Sequence, residues 1–106
     1  MKTISEYIGK HYIFGVGNKP RLIYQGYFAG LGNFGGRYGM LFIDVNIAGK
    51  NMSKNTCLFI DPSDIKGTMY QNILELKRTC KELLKNKPTR ANRLVPISKV
   101  EEFNNV

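Results

Sequence analysis

The chain has no tryptophan, one histidine, two cysteines and four prolines, and its eight acids are outnumbered by sixteen Lys and Arg. Each shortage closes a class of function. His11 and the distant Cys57 and Cys80 cannot supply four tetrahedral zinc ligands, and no C-x-x-C or H-x-x-x-H spacing is present. No metal and no other cofactor is expected. Two cysteines are too few for a disulfide-stapled secreted scaffold, and both fall in apolar patterns that suit small, buried free thiols. With a single His in a strand-like stretch, neither a Ser-His-Asp nor a Cys-His arrangement can be assembled, so no catalytic residue is assigned. Apolar runs stop after a few residues, as at 39–43, against the roughly twenty a bilayer span requires. The first seven residues lack the apolar stretch and cleavage site of a secretory signal, which makes the cytoplasm the expected location.

What remains is ample for a core. Of 106 residues, 42% are hydrophobic and 11% aromatic, with six Tyr and six Phe, so the chain reads as one globular domain over residues 1–106 rather than as a disordered segment. Thr3-Ile4-Ser5-Glu6 has the spacing of a capping box and predicts a short helix over 4–10. Residues 11–16 are aromatic and β-branched, and Gly17-Asn18-Lys19-Pro20 is turn chemistry, which together predict a strand and a hairpin turn. A second strand over 21–29 changes phase at Gly26, where a bulge is expected. After glycine-rich residues 30–36, expected to form a hairpin loop, Leu41, Ile43, Val45 and Ile47 alternate with polar or aromatic neighbours. That alternation predicts a strand over 37–47 with its odd positions toward the core. Thr56–Ile60 completes an antiparallel meander running over about 11–61.

A long helix over 64–86, capped by Ser63 or Asp64, is predicted from Met69, Ile73, Leu76, Cys80 and Leu83, which form one apolar stripe. Asn86-Lys87-Pro88 ends it. Residues 87–106 read as a basic linker and tail, in which Leu94, Val95 and Ile97 dock on the body and Ser98-Lys99-Val100-Glu101 starts a short last helix. The expected fold is therefore α+β: a curved antiparallel sheet of about four strands, with closure into a small SH3-like barrel as one option, packed against one long C-terminal amphipathic helix and flanked by short terminal helices.

Charge is the strongest functional signal. Lys77, Arg78, Lys81, Lys85, Lys87, Arg90 and Arg93 face only Glu82 within residues 77–93, which carry +6 of the chain's net +8. Such a run suits a polyanion, and nucleic acid is bound through neutralised phosphates that release counterions without sequence reading. Arg37, Tyr38 and Phe34, beside the glycines, supply a guanidinium and aromatic faces on which bases can stack. Tyr24, Tyr27, Phe28 and Phe42 lie in the same stretch, and for Tyr24, Phe28 and Phe42 a core role is an equal alternative.

Two familiar patterns fail on context. Gly30-x-Gly32-x-x-Gly35 matches a phosphate-binding glycine motif, but a strand follows it where dinucleotide binding needs a helix, and a kinase-type flap would need parts this chain has no room for. Arg37-Tyr38-Gly39-Met40-Leu41-Phe42-Ile43 approaches the strand motif of RNA-recognition modules, yet one glycine is missing from the spacing and the βαββαβ order is absent. Asp64-Ile65-Lys66 has the D-x-K spacing of many nucleases, with Asp44 the candidate second carboxylate, but helix capping and turn roles for Asp64 and Asp61 explain both more simply. The reading that follows is a non-catalytic, regulatory DNA- or RNA-binding protein. The alternative is a small phage or mobile-element protein that binds and inhibits a host protein through the aromatic, glycine-rich hairpin, since aromatics and Arg also dominate protein hot spots.

Overall fold

In a computed structural model, which describes residues 3–16, 22–66, 71–89 and 92–104, the apolar alternation is spent on one curled antiparallel sheet. Among the described residues eight strands take part: β1 (His11–Val16), β2 (Ile23–Phe34), β3 (Arg37–Ile47), β4 (Lys50–Asn51), β5 (Thr56–Ile60), β6 (Ile65–Lys66), β7 (Asn92–Pro96) and β8 (Glu101–Glu102). Six follow the order β6-β1-β2-β3-β5-β7, while β4 pairs with β3 and β8 with β2. The order begins at β6 and ends at β7, so the sheet curls into a half-barrel and does not close. The expected four strands are thus corrected upward. The meander β1-β2-β3 is as expected, and β3 and β5 occupy the predicted residues. The turn at 17–20 and Met69 lie outside the described residues.

Curling comes from breaks in register between β2 and β3. One lies between Gln25 and Tyr27, across Gly26, and the other between Phe28 and Gly30. At the first, Gln25 pairs with Asn46 and Tyr27 with Ile43, so the extra residue sits on β3, where Asp44 has φ 50. The bulge expected at Gly26 falls at that level but belongs to the partner strand. This break also overturns the simple odd-inward reading of 37–47. Met40 and Phe42 face the main core, the phase changes at Asp44, and Val45 then faces the same core. Leu41 points to the opposite face, where it packs with Cys57, Phe59 and Val95. Both faces of the sheet's centre are buried, and a buried strand loses its clean alternation.

The main core lies between the inner face and α1 (Gln71–Leu83). Phe42 is its hub: Phe14, Phe28 and Tyr12 surround it with ring centroids at 4.8, 5.6 and 6.3 Å. From the helix come Ile73, Leu76 and Cys80, with Leu84 just beyond its end, all buried. The predicted stripe is present, but the helix is shorter than 64–86. Its expected start is taken by a 3₁₀ turn, Pro62–Asp64, capped by Asp61, whose carboxylate accepts from the Ser63 amide, and then by β6 against β1. Pro62 fits the first turn because it has no amide to leave unpaired. The other end is also early: α1 stops at Leu83 rather than 86, and the chain then turns through Asn86, which takes a left-handed φ of 70, before Pro88.

The terminal segments differ most. The helix expected over 4–10 is a single 3₁₀ turn, Ile4–Glu6, whose capping box closes through the Thr3 amide donating to Glu6 Oε2 at 3.0 Å. Only the end of the basic linker enters a strand: β7 starts at Asn92 and runs antiparallel to β5 with Val95 opposite Cys57, and the last helix is a 3₁₀ turn, Ile97–Lys99, leading into β8. Val95 is buried, whereas Leu94 and Ile97 are exposed rather than docked. Cys57 and Cys80 are free and buried.

Candidate nucleic-acid interface

The exposed side of α1 and the turn after it carry Arg78, Lys81 and Lys85, spaced i, i+3 and i+7 so that they share one flank. Lys77 is different. It is half-buried, and its Nζ donates to the Ile65 carbonyl at 2.8 Å, tying α1 to β6. Burial first, then the nearby ammonium groups of Lys66 and Lys81, hold its pKa below the usual lysine value. Lys66, Lys77 and Lys81 therefore form one electropositive cluster, in which Lys66 was invisible to a reading along the chain: it lies outside the basic run and is brought in by the pairing of β6 with β1.

Beside this cluster, between the Pro62–Asp64 turn and the end of α1, lies a cleft of about 130 Å³ lined in part by Asp61, Ser63, Lys81, Lys87 and Thr89. That is room for about four waters at their liquid volume. Asp61 is bound into the wall: one carboxylate oxygen accepts from the Ser63 amide at 2.9 Å and the other from the Thr89 hydroxyl at 2.7 Å. Asp64 is half-buried beside it, and burial first and Asp61 second raise its pKa, against the lowering effect of Lys66. Both acids act as turn and wall residues, and Asp64 does not cap α1 as expected. Asp44 sits at the β3 bulge. Among the described residues, no three His, Cys, Asp or Glu side chains gather into a group that could hold a metal ion.

The aromatic half of the expected site meets the basic half at one point. The Tyr38 amide donates to the Pro88 carbonyl at 2.7 Å, and Lys87 Nζ stands 5.1 Å from the centroids of both Tyr38 and Phe103. The rings of Tyr38 and Phe103 meet edge-to-face at 4.8 Å. Phe103, the last aromatic in the chain, had no motif around it to mark it; its role follows from β8. Phe34 does not join this group. It pairs with Arg37 at the tip of the β2–β3 hairpin, on the opposite face from Tyr38, and packs against Phe59 at 6.1 Å. Tyr38 and Phe34 therefore cannot form one stacking platform. Arg37 is exposed at the tip, Arg93 enters β7 opposite Phe59, and Arg90 lies outside the described residues. Phe28 and Phe42 are core, and Tyr24 stacks on Phe14. His11 is exposed on β1, edge-on to Tyr27 at 5.0 Å.

The glycine motif is not a loop. Gly30 and Gly32 lie within β2, and only Gly35 and Gly36 form the turn, both with positive φ. Gly30, at φ 110, has no space for a side chain, because a Cβ would strike Asn104; one at Gly32 would lie 2.7 Å from both Leu41 and Val100. These two glycines let residues 100–104 lie flat on β2. No helix of the described residues is long and apolar enough to cross a membrane. Comparison of the chain with protein-family models, with characterised proteins and with solved structures finds no match.

Proposed function

We propose that this protein binds nucleic acid without catalysing a reaction on it, holding the phosphate backbone along the flank formed by Lys66, Arg78, Lys81, Lys85 and Lys87. The carrying observation is the crowding of like charge: Lys66 and Lys81 stand close enough to Lys77 to lower its pKa, and Lys87 shares a cleft with Lys81. Ammonium groups held together repel, and a polyanion laid across them relieves that repulsion while releasing its own counterions. Lys77 contributes to the field, while its ammonium is committed to the Ile65 carbonyl. Regulation by occupancy is the use such a small module suits.

A second reading has an observation of its own. Ile23 and Tyr27 are 48% and 43% exposed, and Tyr27 pairs with half-buried Ile43, so the outer face of the sheet offers apolar area to a protein partner. This replaces the hairpin tip as the anchor for an inhibitor of a host protein. A salt series separates the two. Retention of mixed single- and double-stranded DNA and RNA should weaken steeply with salt, by about 0.7 to 0.9 in log K per log salt for each phosphate contacted. No retention at low salt would overturn the nucleic-acid reading.

A further inference from the structure

We infer that the nucleic acid is single-stranded, and that its base site is occupied at rest by the protein's own segment Glu101-Glu102-Phe103-Asn104. This rests on the nucleic-acid reading and adds to it a site and a built-in competitor. β1 pairs with β2 only over Ile23 to Tyr27, which leaves the far end of β2 without a neighbour on that side. β8 fills the place, with Glu102 opposite Gly32 and Glu101 opposite Asn33. The Phe103 amide then donates to the Leu31 carbonyl at 2.8 Å, and the Leu31 amide donates to Asn104 Oδ1 at 2.7 Å. The segment thus follows β2 over Gly30 and Gly32, where no other residue type leaves it space.

What the segment presents is the chemistry of a nucleotide strand. Two carboxylates precede a flat ring; the ring lies against Tyr38, and Lys87 stands over both rings. A base stacked on Tyr38 takes the place of Phe103, and Lys87, released from the second ring, meets the phosphate that leads on to the cleft with Lys81. A duplex keeps its bases stacked inside and gains nothing from Tyr38, which is why a single strand is favoured. Exchange has to break little regular pairing: β8 is two residues long with Glu101 and Glu102 exposed, and besides the two bonds to Leu31 the strap is held by Phe103 packing against the edge of the main core.

The test compares wild type with Phe103→Ala, in the full chain, for binding of a fluorescent oligothymidylate of about twelve nucleotides and of a duplex of equal length. Removing an internal competitor raises apparent affinity by the fraction of molecules it had occupied, so Phe103→Ala should bind the single strand about fivefold to tenfold more tightly and leave duplex binding unchanged. Asn104→Ala, which deletes one strap bond and spares the ring, should act in the same direction but less. In wild type, the oligonucleotide should speed hydrogen exchange at the Phe103 amide. Unchanged or weaker binding by both variants, or better protection of that amide in the complex, overturns the inference while the nucleic-acid reading stands. Failure of wild type and variants alike to bind any nucleic acid overturns both.

Discussion

Cys80 is enclosed on the inner side of α1, and burial pushes its thiol from 9.0 up to about 12. Tyr12, buried on β1, has its hydroxyl raised from 10.0 to about 12, by burial first and then by Tyr7, Cys80 and Glu75. Both groups keep their protons in the folded state at pH values where an unfolded chain has lost them. Between about pH 9 and 12 the unfolded state therefore binds fewer protons, and stability must fall as pH rises; below about pH 9 the contribution is complete. The expected outcome is a urea midpoint that is level up to about pH 9 and declines above it, with a shallower decline in Cys80→Ala. A midpoint level through that range would show that neither group is protonated by its burial. The same enclosure should leave Cys80 unmodified by alkylating reagents until the protein unfolds, because the thiolate is the reacting form.

β7 is the element on which charge and structure disagree most. Residues 87–93, the last two of which enter β7, look like a solvated linker because three cations, Pro88, Thr89 and Asn92 dominate them, and nothing local shows that β5 lacks a neighbour on its outer side. Val95 and Leu94 separate a strand from a linker. They are adjacent and both apolar, but Val95 is 2% exposed and Leu94 is 42% exposed, as alternate faces require. Val95→Asp should cost about 3 kcal/mol or more by burying a carboxylate without a partner, whereas Leu94→Asp should stay within about 0.5 kcal/mol. Equal and small effects in chemical denaturation would return this segment to a linker. The elements that were legible in sequence are those decided locally. Thr56–Ile60 and Arg37–Ile47 announce themselves by β-branched and aromatic content, and α1 by its four-three spacing. The start of α1 was misread because Asp61-Pro62-Ser63-Asp64 carries the signals of a helix start yet closes after one 3₁₀ turn, once β6 finds a pairing partner in β1. Two-residue strands such as β6 and β8 have no sequence signal of their own, since they exist only where a longer strand offers a free edge.

Across the molecule the question is whether +8 acts as a total or as a pattern. Cations in residues 77–93 were legible as a run, but their grouping was not: Lys66 arrives through a strand pairing, Lys77 turns inward to Ile65, and Phe103 reaches Tyr38 and Lys87 from residues far along the chain. Net charge alone attracts any polyanion from a distance, and a flank adds contacts only where its cations stand. Two double variants with the same total separate these effects. Lys81→Glu with Lys85→Glu removes two exposed cations from the proposed flank, and Lys50→Glu with Lys54→Glu removes two exposed cations from the β3–β5 connection. Each lowers the net charge from +8 to +4, so long-range attraction weakens equally in both. If the flank holds the phosphates, the first variant should lose retention and shed about 1.5 from the slope of log K against log salt, two contacts at 0.7 to 0.9 each, while the second keeps the wild-type slope at lower affinity. Equal slopes in the two variants would mean that the cations act only through their sum, and the flank would have no claim to be a site.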